Sequence, residues 1–477
     1  MDSTPFLHPE SGQPLYMQLY AHYRHEILTG RLPANARLTS VRHLSLSLGI
    51  SKITVETAYQ QLVAEGFVES RARSGFYVAQ LDEYVPEKLL LTERNETVPQ
   101  KRKPLQPLVT TQQVLYDFHG SVIDLEHFPF NHWRKCMNEA LEHYQNDFAF
   151  YGDDQGEPEL LVQIARYLHL ARTVRCRPQQ ILLGSGLQQA VAMIALMLGP
   201  EPTKIAIEEP GYADVREVFR QHGHQLVPIP LEEDGIRLDK LWQSEAKAVY
   251  ITPAHQYPHG MIMPIGKRLK LLQWASQTGA YIIENDYDGE FRYNVKPTPS
   301  LQGLDQTGRV IYVGNFSKAL SPALRVNYTV LPPELLERYR RDFAMYPSPV
   351  PRHLQRTLQL FMQKGYWDRH VRRMRSLYSQ KHAALLEAVA ALLPHNQVTV
   401  LAQSAGLHIV LEIQTTRTAE ELAQAARAVG VKVYTVTRSW MDGDHSQSPR
   451  MLLGFGGLRP EQIRQGVRLL GQAWFGK

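Results

Sequence analysis

Lysine attacks an aldehyde only as the neutral amine, so a nucleophilic lysine needs burial or a cationic neighbour to lower its pKa. Lys318 stands in VGNFSKAL (313–320), directly after the apolar run RVIYVG (309–314), with Ser317 beside it. Tyr287 lies 31 residues earlier in IIENDYDGEF (282–291), where Asn285 and Asp286 close another apolar run. In LLGSGLQQAVAMI (182–194) a strand pattern, a glycine turn and a helix pattern follow one another. The amides of Ser185, Gly186 and Leu187 then stand at a helix N-terminus, which suits a phosphate. Arg325, seven residues after Lys318, is a counter-charge for that phosphate, and Tyr212, just past the strand pattern in IEEPGYADV (207–215), can stack on a flat ring.

An aldehyde carbon, a phosphate and a flat ring are parts of pyridoxal 5′-phosphate, whose protonated pyridine nitrogen makes it an electron sink. An acid at the 282–291 strand end would meet that nitrogen, and Tyr287 would donate to the ring's phenolic oxygen. Each residue alone has a plainer reading: a surface lysine, a simple strand-to-helix turn, a half-buried tyrosine, a surface salt bridge. His255, in TPAHQYPHG (252–260), either reaches the ring or an effector or is a structural loop histidine. Cys136 and Cys176 have no acid, base or metal partner nearby and read as packing residues.

These residues need a frame. After residue 116 apolar runs at 181–185, 204–210, 248–253, 281–286 and 309–314 alternate with helical patterns such as 187–198 and 267–278. Such runs predict an α/β unit with a largely parallel sheet covered on both faces. Helical patterns at 353–365 and 367–393, then strands and a last helix, predict a second, smaller lobe. Residues 81–113 carry prolines at 86, 99, 104 and 107 and no apolar period, and are expected to be a linker between residues 1–80 and 114–477. Within 114–477 the large lobe is expected at about 150–350, and the small one from 114–149 with 351–477. The net charge of +5 over 477 residues excludes a wholly basic nucleic-acid coat but permits one basic surface. Two cysteines, and an N-terminus MDSTPFLHPESG without a signal-peptide pattern, point to the cytoplasm. The longest apolar stretches, of about nine residues, are too short for a membrane span of roughly 20.

The first 80 residues have a different pattern. Leu15, Leu19, Tyr23 and Ile27 form a helical stripe, and 40–48 and 51–65 read as two short helices capped by Ser40 and Ser51 and joined at Gly49–Ile50. Two helices across so short a turn predict a helix-turn-helix, and 66–79 reads as a β wing with Arg71 and Arg73 at its tip. Ser51, Lys52 and Thr54 stand at the start of the recognition helix, and Arg42, Arg71 and Arg73 are in place for phosphates or the minor groove of duplex DNA. The other reading of the periodicity is a three-helix dimerisation or protein-binding module. The order LTSVRHL…LGISKITVETAYQQLVAEGFVESRARSGFYV resembles the GntR-type winged helix-turn-helix. The resemblance implies DNA contacts from Arg42, Ser51, Lys52, Thr54 and the wing Gly75, with Lys52 where the family often has arginine.

GSGLQQA, EEPGYAD, TPAHQYPHG, ENDYDGEF and SKALSPALR occur in the order of the fold-type I aminotransferases. With the N-terminal module, the whole chain resembles the MocR/GabR group of bacterial regulators. The resemblance implies a pyridoxal phosphate-binding domain with a large and a small lobe that acts as a sensor, Lys318 as the internal-aldimine lysine, and a head-to-tail homodimer. It places Tyr212 on the ring, Tyr287 at the phenolic oxygen and Arg325 at the phosphate. The chain departs from the pattern twice. Asn285 stands where the family has the aspartate for the pyridine nitrogen, which leaves either Asp286 as a substitute or weak transamination. The arginine that clamps a substrate carboxylate is replaced at both implied positions, Leu452 and Gly457, with Arg450 and Arg459 out of register. The expected function is an operator-binding regulator that senses pyridoxal phosphate or an amino-containing effector. The rival is an active aminotransferase with an N-terminal dimerisation appendage; a third reading is a regulator that has lost the cofactor.

Overall fold

The computed structural model describes residues 5, 7–8, 10, 12–80, 114–293, 299–401, 405–441, 443 and 448–476; the expected linker, 81–113, lies outside the described residues. The chain divides into two units between Thr110 and Thr111.

In the first unit, α1 (Leu15–Leu28), α2 (Val41–Leu48) and α3 (Lys52–Ala64) precede the wing strands β1 (Val68–Arg71) and β2 (Gly75–Val78), which pair antiparallel. Leu19, Tyr23 and Ile27 of α1 share one core with Leu44, with Val55, Ala58, Tyr59 and Leu62 of α3, and with Val68 and Val78 of the wing. Ser40 caps α2 by accepting from the His43 amide at 3.3 Å, and Ser51 caps α3 by accepting from the Thr54 amide at 3.1 Å. Each such cap is worth about 1 kcal/mol.

The second unit contains β3 (Tyr116–Asp117), β4 (Ile181–Gly184), β5 (Lys204–Glu209), β6 (Gln225–Glu232), β7 (Gly235–Ile236), β8 (Ala248–Ile251), β9 (Tyr281–Asp286), β10 (Val310–Asn315) and β11 (Asn327–Val330). Further strands are β12 (Val398–Leu401), β13 (His408–Ile413), β14 (Val431–Lys432), β15 (Tyr434–Thr435) and β16 (Arg450–Gly454). An eight-stranded sheet runs β4-β11-β10-β9-β8-β5-β6-β7, parallel from β10 through β6. The fully buried β4, β8 and β9 carry the apolar runs visible in sequence. Helices Leu187–Leu198, Ala213–Gln221 and Pro333–Asp342 pack on one face, and Pro158–Arg172 and Ile265–Thr278 contribute to the cores of the other.

A four-stranded antiparallel sheet, β12-β13-β16-β15, forms the second lobe with helices Tyr366–Leu392 and Pro460–Phe475. The start of the unit joins this lobe: β3 pairs with β14, and the Gly454 amide donates to the Phe118 carbonyl at 2.8 Å. Among the described residues no helix is long and apolar enough to cross a membrane.

Candidate functional site

The parallel strands of the large sheet end together, and the loops beyond them carry the chemistry-bearing residues. Lys318 lies just past β10 and donates from Nζ to the Gly120 carbonyl. Burial brings its pKa down to about 8, against a smaller upward pull from Asp288. The amine is therefore neutral in a usable fraction at physiological pH.

Asn285 and Asp286 are adjacent in β9, so their side chains fall on opposite faces of the sheet. Asn285 donates from Nδ2 to the Tyr250 hydroxyl at 2.7 Å, and its Oδ1 is buried without a partner among the described residues. Tyr250 belongs to the core against which Tyr212 packs. Asp286 accepts from Arg172 Nε at 2.5 Å and from the Tyr312 hydroxyl at 2.7 Å, in an ion pair buried on both sides. Arg172 also donates to the Gly289 carbonyl at 3.1 Å. The Asp286 carboxylate, the expected substitute at this strand end, is thus held by Arg172 and Tyr312, and the residue on the Tyr250 and Tyr212 side is the neutral Asn285.

Tyr287 follows β9, and burial holds its hydroxyl protonated. That hydroxyl lies 3.0 Å from His255 Nδ1, which is also 2.9 Å from Asp288 Oδ2. An ionised carboxylate only accepts, so Nδ1 carries its proton toward Asp288 and the Tyr287 proton is free to point elsewhere. His255 Nε2 is buried and has no hydrogen-bond partner among the described residues. Gly406, at φ +77°, closes over this pair so tightly that a Cβ there would strike the His255 ring and the Asp288 carboxylate. Tyr212 packs edge-on to Tyr257 at 5.2 Å, and its pKa is pushed up to about 12 by burial. Glu208, at the end of β5, is driven to about 7 by burial while accepting from the Thr252 amide and hydroxyl at 3.1 and 2.8 Å.

At the turn expected to receive a phosphate, two of the three expected amides are engaged within the chain. The Ser185 amide donates to Gln189 Oε1 at 3.3 Å and the Gly186 amide to Asn327 Oδ1 at 2.9 Å, so both already have acceptors. The Leu187 amide opens the helix Leu187–Leu198, and the Arg325 guanidinium lies so close over Gly186, at φ +116°, that a Cβ there would collide with it. The Arg325 amide donates to the Pro322 carbonyl at 3.3 Å, and its guanidinium has no hydrogen bond or ion pair among the described residues. The Ser317 amide donates to Asn315 Oδ1 at 2.9 Å. An anion here would meet Leu187 and Arg325 first.

Neither flanking arginine is free to clamp a carboxylate. Arg450 donates to Glu412 Oε1 at 2.9 and 2.8 Å and lies 2.9 Å from His259 Nε2; Arg459 is on Glu126 at the surface. Leu452 packs beside Gly120, and a side chain at Gly457 would run into Val122.

In the first unit Arg42, Ser51, Lys52, Arg71 and Arg73 are exposed and Thr54 is half-buried. The hydroxyls of Ser51 and Thr54 face each other at 2.8 Å, within the α3 cap. Arg71 donates to Asn35 Oδ1 at 2.8 Å and lies 4.4 Å over the Tyr77 ring; Arg73, at φ +59°, is at the wing turn. Gly75 abuts Arg37, a cation that reading by motif missed. Motif reading likewise missed Asp288, Tyr250, Glu208 and Asn327. Only Asp288 had a local signal, the second acid of ENDYDGEF.

Residues 15–78 match the model of the bacterial regulatory proteins of the gntR family, and 121–442 match aminotransferase class I and II. The chain is 42% identical over 99% of its length to the uncharacterized HTH-type transcriptional regulator YhdI of Bacillus subtilis, covering 98% of it. It is 34% identical over 98% of its length to the probable rhizopine catabolism regulatory protein MocR of Rhizobium meliloti, covering 94% of that protein. A multiple substrate aminotransferase from Thermococcus profundus superposes with a TM-score of 0.69 at 25% identity, over 82% of this chain and 97% of that one. The shared fold is that of the fold-type I aminotransferases, a family that normally binds pyridoxal phosphate. The chain thus belongs to the MocR-type transcription regulators, in which a gntR-family DNA-binding domain is joined to an aminotransferase class I and II domain.

Proposed function

We propose that this regulator holds pyridoxal 5′-phosphate at Lys318 and that occupancy of the site, by the cofactor or by an amine that reacts with it, changes how the protein occupies DNA. The observation that carries the reading is the pairing at the end of β9: a neutral Asn285–Tyr250 contact on the site's face, with the Asp286 carboxylate tied to Arg172 behind it. Such a site retains a cofactor without strongly activating it. The residues present fit the group. The Arg325 guanidinium, unpaired among the described residues, and the Leu187 amide suit its phosphate, the Lys318 amine its aldehyde carbon, Tyr287 its phenolic oxygen, Tyr212 its ring and Asn285 its pyridine nitrogen.

When bound, the cofactor supplies an electrophilic carbon and a ring that withdraws electrons in proportion to its protonation. Lys318 contributes a buried, partly neutral amine. The Asp288–His255 pair fixes the side of Tyr287 from which no proton is donated, so its hydroxyl is left as a donor toward the ring. Asn285 brings no charge to the pyridine nitrogen. In the other unit Lys52, Arg37, Arg42, Arg71, Arg73 and the Gly75 wing face duplex DNA. Phe150 and Tyr151, 72% and 96% exposed, suit a second copy of the chain. The homodimer and a cytoplasmic location belong to this proposal.

The test is two-part. Purified chain given pyridoxal phosphate, reduced with borohydride and digested should carry the label on the Lys318 peptide, and K318A should carry none. Binding to the DNA upstream of its own gene, followed through a salt series, should change with cofactor in the wild type and not in K318A. Label on another lysine, or steady turnover of an amino donor and a keto acid at aminotransferase rates, would sink the proposal.

A further inference from the structure

Polar residues dominate most DNA-facing helix surfaces, and one position of α3 breaks that rule. Ile53, in the first turn of α3, is 75% exposed. It lies opposite the buried Val55, Ala58, Tyr59 and Leu62 that anchor the helix. Thr57, one turn on, donates its hydroxyl to the Ile53 carbonyl at 2.8 Å, so the group it leaves outward is its methyl. The Ser51 hydroxyl is held in the cap. The crown of the helix is therefore apolar where it would enter a groove.

Charge points the same way. α3 holds one cation, Lys52, and one acid, Glu56, both exposed, so it contributes no net attraction to phosphates. A carboxylate beside the backbone would be repelled by it, whereas base edges offer donors. The cations that can hold phosphates are elsewhere in the unit: Arg37, Arg42, Arg71 and Arg73. The helix is left to read bases, and the one apolar group displayed in the major groove is the thymine C5-methyl.

We propose that Ile53 reads a thymine methyl group in each half-site, and so sets base specificity at that position. This rests on the DNA-binding reading of the first unit. Burying one methyl is worth about a fourfold change in affinity.

The full chain would first be used to select binding sites from a random-sequence duplex pool. Uracil would then replace thymine one position at a time in the selected duplex, and wild type and I53A would be titrated on the series. One thymine per half-site should weaken wild-type binding about fourfold when its methyl is removed, and I53A should show less than a twofold difference there. Thermal melts check that I53A is folded, as its exposure predicts. An equal uracil effect in both proteins, or none at any position, overturns the proposal while leaving DNA binding intact. I53A that binds every duplex like wild type but associates less with itself assigns the apolar crown to a protein contact, and also overturns it. Failure to enrich any sequence removes the DNA-binding reading, and this inference with it.

Discussion

The two faces of the large sheet at the end of β9 are built from opposite materials. Behind the sheet, Arg172, Asp286, Tyr312, Tyr167 and Glu290 form a buried charged network, with the Tyr167 hydroxyl donating to Glu290 at 2.6 Å. On the site's face, Asn285, Tyr250 and Tyr212 are neutral and Lys318 is partly so. The charge at this strand end serves to hold the segment 286–289 in place, through Arg172 on both Asp286 and the Gly289 carbonyl. It lies on the face of the sheet opposite Asn285 and Tyr250. A regulator needs a site that keeps its ligand and reports it; an aminotransferase needs one that ionises the ring.

The largest effect tests the charged face. Removing one partner of a buried pair leaves the other uncompensated, at a cost of about 3–5 kcal/mol. D286A should lose about that much stability in denaturant unfolding of the second unit. N285A, which frees only the Tyr250 hydroxyl, should lose about 1–2 kcal/mol. Equal losses, or a larger one for N285A, would erase the contrast between the faces.

The next effect tests the neutral face through Lys318. Its pKa is lowered from 10.5 to about 8 by burial, so the neutral fraction grows about tenfold per pH unit below 8 and levels off above it. The rate of covalent pyridoxal phosphate capture should follow, rising about fiftyfold from pH 6 to pH 8 and about twofold more before it flattens. A rate still climbing at pH 10 would mean an ordinary solvated lysine. D288N removes the upward pull of Asp288 on the group and should shift the plateau to lower pH, sharpening the assignment.

Local signals were legible and distant ones were not. The Ser40 and Ser51 caps, the wing, Lys318 and Tyr287 each announce themselves within a few residues, because caps, strand ends and strand-to-helix turns are short-range features. The difference between Asn285 and Asp286 depended on Arg172, which lies 114 residues away from Asp286. Lys318 meets Gly120 across 198 residues, and no periodicity reports that contact. The strand β6 has no clear strand pattern because QLVPIPLE carries Pro228 and Pro230, and proline in a run argues against a central strand; β6 is next to the edge strand β7, which pairs only with Leu231 and Glu232. The amides of Ser185 and Gly186 looked free because Gln189 and Asn327 reach them only in the folded chain.

The smallest effect is also the most direct comparison of the two faces. N285D moves a carboxylate onto the site's face without disturbing Asp286 and Arg172. If the neutral amide is what keeps the bound ring unprotonated, the half-reaction with an amino donor should speed up by about tenfold, close to the 1.4 kcal/mol that one pKa unit of stabilisation represents. Stopped-flow absorbance after adding a primary amino acid to cofactor-loaded protein would read it. The Tyr250 hydroxyl can turn to donate to the new carboxylate, so the substitution keeps its hydrogen bond and the fold. An unchanged rate in a protein whose cofactor absorbance does respond to the substitution would mean that ring protonation is not limiting. Leu452 and Gly457, at the positions where the resemblance implies a carboxylate-clamping arginine, would then be the feature that limits reaction with an amino acid.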